Sequence, residues 1–216
     1  MIPKYLSILI LMLFTMLCGC QSLPDIKLGD CEDLDYDIFT KNFPLDITDP
    51  LQYRYTLRWQ SKTLIANGIA HKTDKNEVNM AGFSNLGMTL YSAQWQDNQF
   101  EILKNNTGMS DKFLKRSILC DVLLLYRQLP AAGICIRRDV LDGSLWLETN
   151  HQLAGGTGYF VVLDGQPGWG AIRNGKICFK AVAAQKNKNT PKKITIENFN
   201  EGYKSEIRFL NEGSAK

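Results

Sequence analysis

Tyr53-Arg54-Tyr55-Thr56-Leu57-Arg58-Trp59 alternates apolar or aromatic with polar side chains at every position. A period of two belongs to a strand with one face buried and the other in water, so this stretch predicts an antiparallel β-strand. The sequence around it repeats the signal. Residues 62–71, 77–83, 86–95 and 99–103 read as further strands, split by Asn85-Leu86-Gly87 and Asp97-Asn98. Gly68 marks a bulge or a close approach within the second of them. Further on, residues 177–183, 194–199 and 203–210 alternate again, the last two joined around Asn200-Glu201-Gly202. Asp142-Gly143, Asp164-Gly165 and Asn174-Gly175 supply hairpin turns, and Lys186 to Lys193 reads as a basic loop.

Between these two blocks the period changes. Ser110 is placed to cap a helix, Asp111 lies in its first turn, and Pro130 ends it. Leu114, Ile118, Val122, Leu125 and Leu129 share one face, flanked by Phe113, Leu119 and Tyr126. So wide an apolar arc predicts burial on more than one side. About ten antiparallel strands and one main helix make an α+β domain over residues 51–216.

Bulk composition agrees with one folded domain plus a tether. The 216 residues are 44% hydrophobic and 22% charged, which excludes disordered, collagen-like, coiled-coil and polytopic membrane classes. A net charge of +3 is too small to point to nucleic acid. The charge is unevenly spread: residues 21–50 carry −6 and residues 172–216 carry +6. The acidic stretch, with Pro24, Pro44 and Pro50 and no sustained period, reads as a tether that becomes ordered near Ile38-Phe39.

Tyr5 to Leu17 is a run of thirteen residues without a charge, too short to span a bilayer and suited to the apolar region of a secretory signal. It ends in Leu17-Cys18-Gly19-Cys20, which resembles the lipobox of bacterial lipoproteins. Cys20 has the leucine three residues ahead and the small residue just ahead; Cys18 has neither. The resemblance implies a signal peptide of residues 1–19, lipid on Cys20, and a lipidated tether of residues 20–50. Gln21 follows the lipidated cysteine, and this implies the outer membrane, facing the periplasm, as the destination. A single myristoyl chain binds membranes marginally, so the three-chain anchor implied here is effectively permanent.

Cys31, Cys120, Cys135 and Cys178 remain, in a compartment that permits disulfides. Alternation places Cys135 on the face of Arg137 and Cys178 on the face of Lys180, so the preferred pairing is 135–178 with 31–120; the alternative is free structural thiols. With His71 and His151 as the sole histidines and no CxxC, no metal site is expected.

No catalytic constellation emerges, and neither an enzymatic activity nor a cofactor is expected. Gly82-Phe83-Ser84-Asn85-Leu86 lacks the second glycine of a nucleophile elbow, and Gly155-Gly156-Thr157-Gly158 lacks the lysine of a phosphate loop. Asp121, within the apolar helix, is either a buried acid with a raised pKa or an edge residue satisfied by a strand.

A lipobox followed by a β-rich domain with a helix in its middle resembles the LolA/LolB lipoprotein-localisation factors. The local match runs from Met80 to Tyr91, where Asn85-Leu86-Gly87 is similar to an Asn-Pro-Leu-Gly-type turn without its proline. The chain resembles still more an uncharacterised family of LolB-like lipoproteins, sometimes found beside aryl-polyene biosynthesis genes. The resemblance implies an unclosed antiparallel β-barrel covered by a helix around an apolar acyl cavity. Candidates to line it are Trp59, Met80, Met88, Leu90, Trp95 and Phe100, with Leu114, Ile118 and Leu125 from the helix; methionines suit an adaptable pocket. It further implies that Leu86 is an apolar prong that touches the membrane. The function so implied is a non-catalytic carrier or acceptor for acyl chains or lipidated cargo. The alternative is a scaffolding envelope lipoprotein with a filled core that docks biosynthetic or envelope proteins.

Overall fold

A computed structural model describes residues 23–32, 36–43, 45, 47, 49–74, 77–130, 135–187 and 190–210. Residues 1–19, expected from sequence to be a signal peptide, and Cys20 lie outside the described residues.

Twelve strands form one antiparallel sheet: β1 Leu51–Trp59, β2 Lys62–Asp74, β3 Glu77–Phe83, β4 Thr89–Gln96, β5 Gln99–Asn105, β6 Ile136–Arg138, β7 Leu145–Leu153, β8 Gly156–Leu163, β9 Gln166–Arg173, β10 Lys176–Asn187, β11 Thr190–Asn198 and β12 Tyr203–Phe209. Their order is β5-β4-β3-β2-β1-β12-β11-β10-β9-β8-β7-β6. The sheet is open, as expected, and has two more strands than the sequence suggested. The excess lies among β7 to β9, which alternation left without bounds. Their inner and outer faces are both partly buried, so Val161 and Val162, or Trp146 and Leu147, are buried side by side and period-two alternation fades.

Hairpin chemistry explains the meander. At Asn174-Gly175 both residues have positive φ (53° and 70°), the backbone twist that matches two right-twisted strands. Gly68 and Gly82 serve a different purpose. A Cβ on Gly68 would lie 2.2 Å from the Tyr53 ring, and one on Gly82 would lie 2.1 Å from Tyr91. Each tyrosine lies flat over the glycine it pairs with, and the two hydroxyls meet at 2.9 Å across β2 and β3.

β5 and β6 are the two edges of the sheet, and the chain between them carries one helical segment, which lies on the central strands β1 and β12. The segment consists of α2 (Asp111–Leu114), a π-helical turn (Lys115–Leu119), α3 (Cys120–Leu123) and a 3-10 turn (Leu124–Tyr126). A shorter helix, α1, spans Asp37–Thr40. Ser110 caps α2 by accepting from the Phe113 amide. Helicity stops four residues before Pro130, with Arg127 already extended. Leu114, Ile118, Leu119 and Val122 are fully buried against Tyr55, Leu57, Ile194, Ile196 and Ile207 in the main core.

A smaller core lies on the opposite face, where Trp146, Tyr159, Val161 and Ile177 are covered by Ile26 and Leu28. Residues 23–32, read from sequence as part of a tether, are therefore held to the sheet. The Ile177 amide donates to the Pro24 carbonyl at 2.9 Å, and Leu28 and Glu32 bridge to Asp139 and Ile136 along β6. The aliphatic pair Ile26 and Leu28, inconspicuous among acids, anchors the segment.

The disulfide joins Cys31 to Cys135, with Cα atoms 5.3 Å apart; Cys120 and Cys178 are free. This corrects the expected 135–178 and 31–120 pairing. A bulge between Ile177 and Phe179 breaks the alternation on which that pairing rested. It turns the Cys178 thiol into the core, 3.4 Å from the Ala171 carbonyl.

Candidate functional site

The β1–β2 hairpin and the loop leading into α2 enclose a cleft of about 430 Å³, lined by Leu57, Trp59, Lys62, Thr63, Leu64, Thr107, Gly108 and Met109. That volume lies within the range of small-ligand pockets. Each wall follows from local sequence. On one side the alternation of β1 turns Leu57 and Trp59 inward, and Trp59 packs on Phe113 of α2 with ring centroids 4.6 Å apart. On the other, Asn105 braces the loop. Its Oδ1 accepts from the Thr107 amide and hydroxyl at 3.1 and 2.7 Å, while its Nδ2 donates to the Met109 carbonyl at 2.9 Å. The Met109 amide closes the loop on Thr107 Oγ1 at 3.1 Å. Lys62, exposed at the mouth, is a cation beside a slot whose lining mixes apolar and polar groups.

The residues proposed from sequence are dispersed. Trp59 lines the cleft. Met80, Leu114, Ile118 and Leu125 do not; they are buried in the main core, because the helix sits directly on β1 and β12 and fills that space. Leu90, Trp95 and Phe100 are half-buried at the margin of the same core. Met88 is 62% exposed: it ends the turn in which Ser84 Oγ accepts from the Leu86 and Met88 amides, where strand alternation has stopped. Leu86, at the tip of that turn, is 87% exposed. Thr107, Gly108 and Met109 escaped the sequence reading, since a bracing loop has no periodicity to detect; Leu64 was read only as part of a strand.

Asp121 is a strongly perturbed acid at the centre of the fold. It accepts from Tyr55 at 2.6 Å, Ser205 at 2.7 Å and Tyr203 at 2.8 Å, and is fully buried. Burial pushes its carboxyl up to about 7, the three hydroxyls offsetting part of the effect. The same burial, with Asp121 beside it, pushes the Cys120 thiol up to about 12, so this cysteine is a poor nucleophile at neutral pH. No group of three or more metal-binding side chains occurs among the described residues.

No family model and no curated protein sequence matches the chain. Among solved structures it is similar to a LolA superfamily protein from Nitrosomonas europaea, with a TM-score of 0.49 and 9% identity over 81% of this chain and 90% of that one. It is also similar to the lipoprotein LppX of Mycobacterium tuberculosis, with a TM-score of 0.25 and 11% identity over 83% of this chain and 97% of that one.

Proposed function

We propose that this chain is a membrane-anchored lipoprotein that binds an acyl chain of a lipid or lipidated protein in the cleft beneath Trp59, as a non-catalytic carrier or acceptor. The observation that supports it is the cleft itself. Leu57, Trp59, Leu64 and Met109 supply the apolar part of its lining, and Lys62 stands where an anionic head group would emerge. The lipobox ending at Cys20 supports a lipid anchor at the outer membrane, facing the periplasm. The exposed Leu86 and Met88 support a hairpin tip that meets a bilayer while cargo passes. Asp121, the natural candidate for acid–base chemistry, is enclosed on all sides by the groups it bonds, which favours a structural role.

A second reading is a scaffolding lipoprotein. The close packing of Leu114, Ile118 and Leu125 beneath the helix supports it, since that region is a filled core. Titration with a fluorescent fatty-acyl probe separates the two. The carrier reading expects saturable binding that Leu64→Glu abolishes, with the melting temperature little changed. Absence of saturable binding, or equal binding to the variant, favours the scaffold.

A further inference from the structure

Val140 and Leu141 stand at the tip of the β6–β7 turn, 62% and 64% exposed. The turn that carries them is braced far beyond what a surface loop needs. The Asp139 side chain, nearly fully buried, accepts from the amides of Leu141 at 3.0 Å and Lys27 at 3.3 Å. The Gly143 amide returns to the Asp139 carbonyl at 2.8 Å, and the Ser144 amide donates to Asp142 Oδ1 at 2.9 Å. Lys180 on β10 holds the other Asp142 oxygen at 3.8 Å. Ordered backbone thus presents two adjacent aliphatic side chains to solvent.

The neighbour of this tip is the segment that leads to Cys20. The Val140 amide donates to the Lys27 carbonyl at 2.9 Å, and the Cys31–Cys135 bond staples the same segment to β6. Pro24 is fixed in turn by the Ile177 amide. Three residues separate it from Cys20, four Cα steps with a reach of at most about 14 Å. A lipid on Cys20 therefore brings this side of the domain against the bilayer.

We infer that the Val140-Leu141 turn is a membrane-docking wedge, which inserts into the lipid interface beside the anchor and fixes the orientation of the domain. Apolar groups so placed enter the headgroup boundary to a depth of about 5–10 Å. The inference rests on the lipid-anchor reading. It also assigns an orienting role to a surface separate from Leu86.

The test uses the full lipidated chain in vesicles of phosphatidylethanolamine and phosphatidylglycerol, in a Cys120→Ser background. An environment-sensitive fluorophore is attached at Leu141→Cys or, separately, Leu86→Cys. Vesicle flotation comes first; a chain that does not float overturns the anchor reading and the wedge with it. For a chain that floats, brominated lipids are expected to quench the probe at 141, with Val140→Cys behaving alike. Floating protein whose probe at 141 stays bright overturns the wedge and leaves the anchor standing.

Discussion

Tyr55 donates its hydroxyl to Asp121 Oδ2 at 2.6 Å, and so ties the middle of β1 to the helix that crosses it. Tyr203 and Ser205 of β12 complete the acid's shell, which makes the contact a latch between the helix and the two central strands. A hydrogen-bonded acid at this position fixes where the helix lies, a role that apolar packing alone performs with less specificity.

The latch predicts a pH dependence with a definite sign. The Asp121 pKa rises from an ordinary 3.8 to about 7 on folding. Its stabilising contribution is complete below about pH 4 and is lost as pH rises through about 7. Denaturant melts between pH 5 and 8.5 are expected to show falling stability with rising pH, and Asp121→Asn is expected to flatten that slope. Asp121→Ala, which orphans three buried hydroxyls, is expected to cost about 3 kcal/mol or more, at roughly 1–3 kcal/mol per group. A wild-type slope unchanged in the asparagine variant contradicts the assignment.

Non-reducing peptide mapping is expected to recover Cys31 linked to Cys135, with Cys120 and Cys178 as thiols that react once the chain unfolds. The bridge closes a span of 104 residues, so reduction is expected to destabilise by about 2–5 kcal/mol. Recovery of a 135–178 peptide instead contradicts the placement of residues 23–32.

Leu86→Glu is expected to leave stability within about 0.5 kcal/mol of wild type, because an 87% exposed side chain has little contact to lose. If the hairpin tip works at a membrane, the same variant weakens vesicle-dependent transfer of cargo. A large loss in a denaturant melt shows instead that the leucine packs against its neighbours.

How much of this was legible in the sequence depended on which residues repeat and which do not. Period two from Tyr53 to Trp59 and the cap at Ser110 led to the strands and the helix, because burial on one face writes itself directly into the side-chain order. Asp121 stood out as an acid in an apolar helix, but the hydroxyls that satisfy it come from strands about 66 to 84 positions away along the chain. The cleft was half hidden: Trp59 was visible, while the Asn105-braced wall depends on a loop conformation with no periodic trace. The disulfide was misread for a physical reason, one extra residue at Ile177/Phe179 that reverses which way Cys178 points.

Lys62 at the cleft mouth supplies a selective probe of the head group. Lys62→Glu is expected to weaken binding of a free fatty acid several-fold, on the order of 0.5–1 kcal/mol for a solvent-screened pair. Binding of the corresponding methyl ester, which has no charge to lose, is expected to be unchanged. Equal losses for both ligands place the head group elsewhere.

The central claim is that an acyl chain lies in the slot under Trp59, and a diazirine-bearing fatty acid tests it most directly. Photolysis followed by peptide mapping is predicted to label residues 57–64 and 107–109, the two walls of the cleft, with labelling suppressed by Leu64→Glu. Label confined to the surface around Leu86 or Val140, or no label above that seen with unfolded chain, contradicts the account.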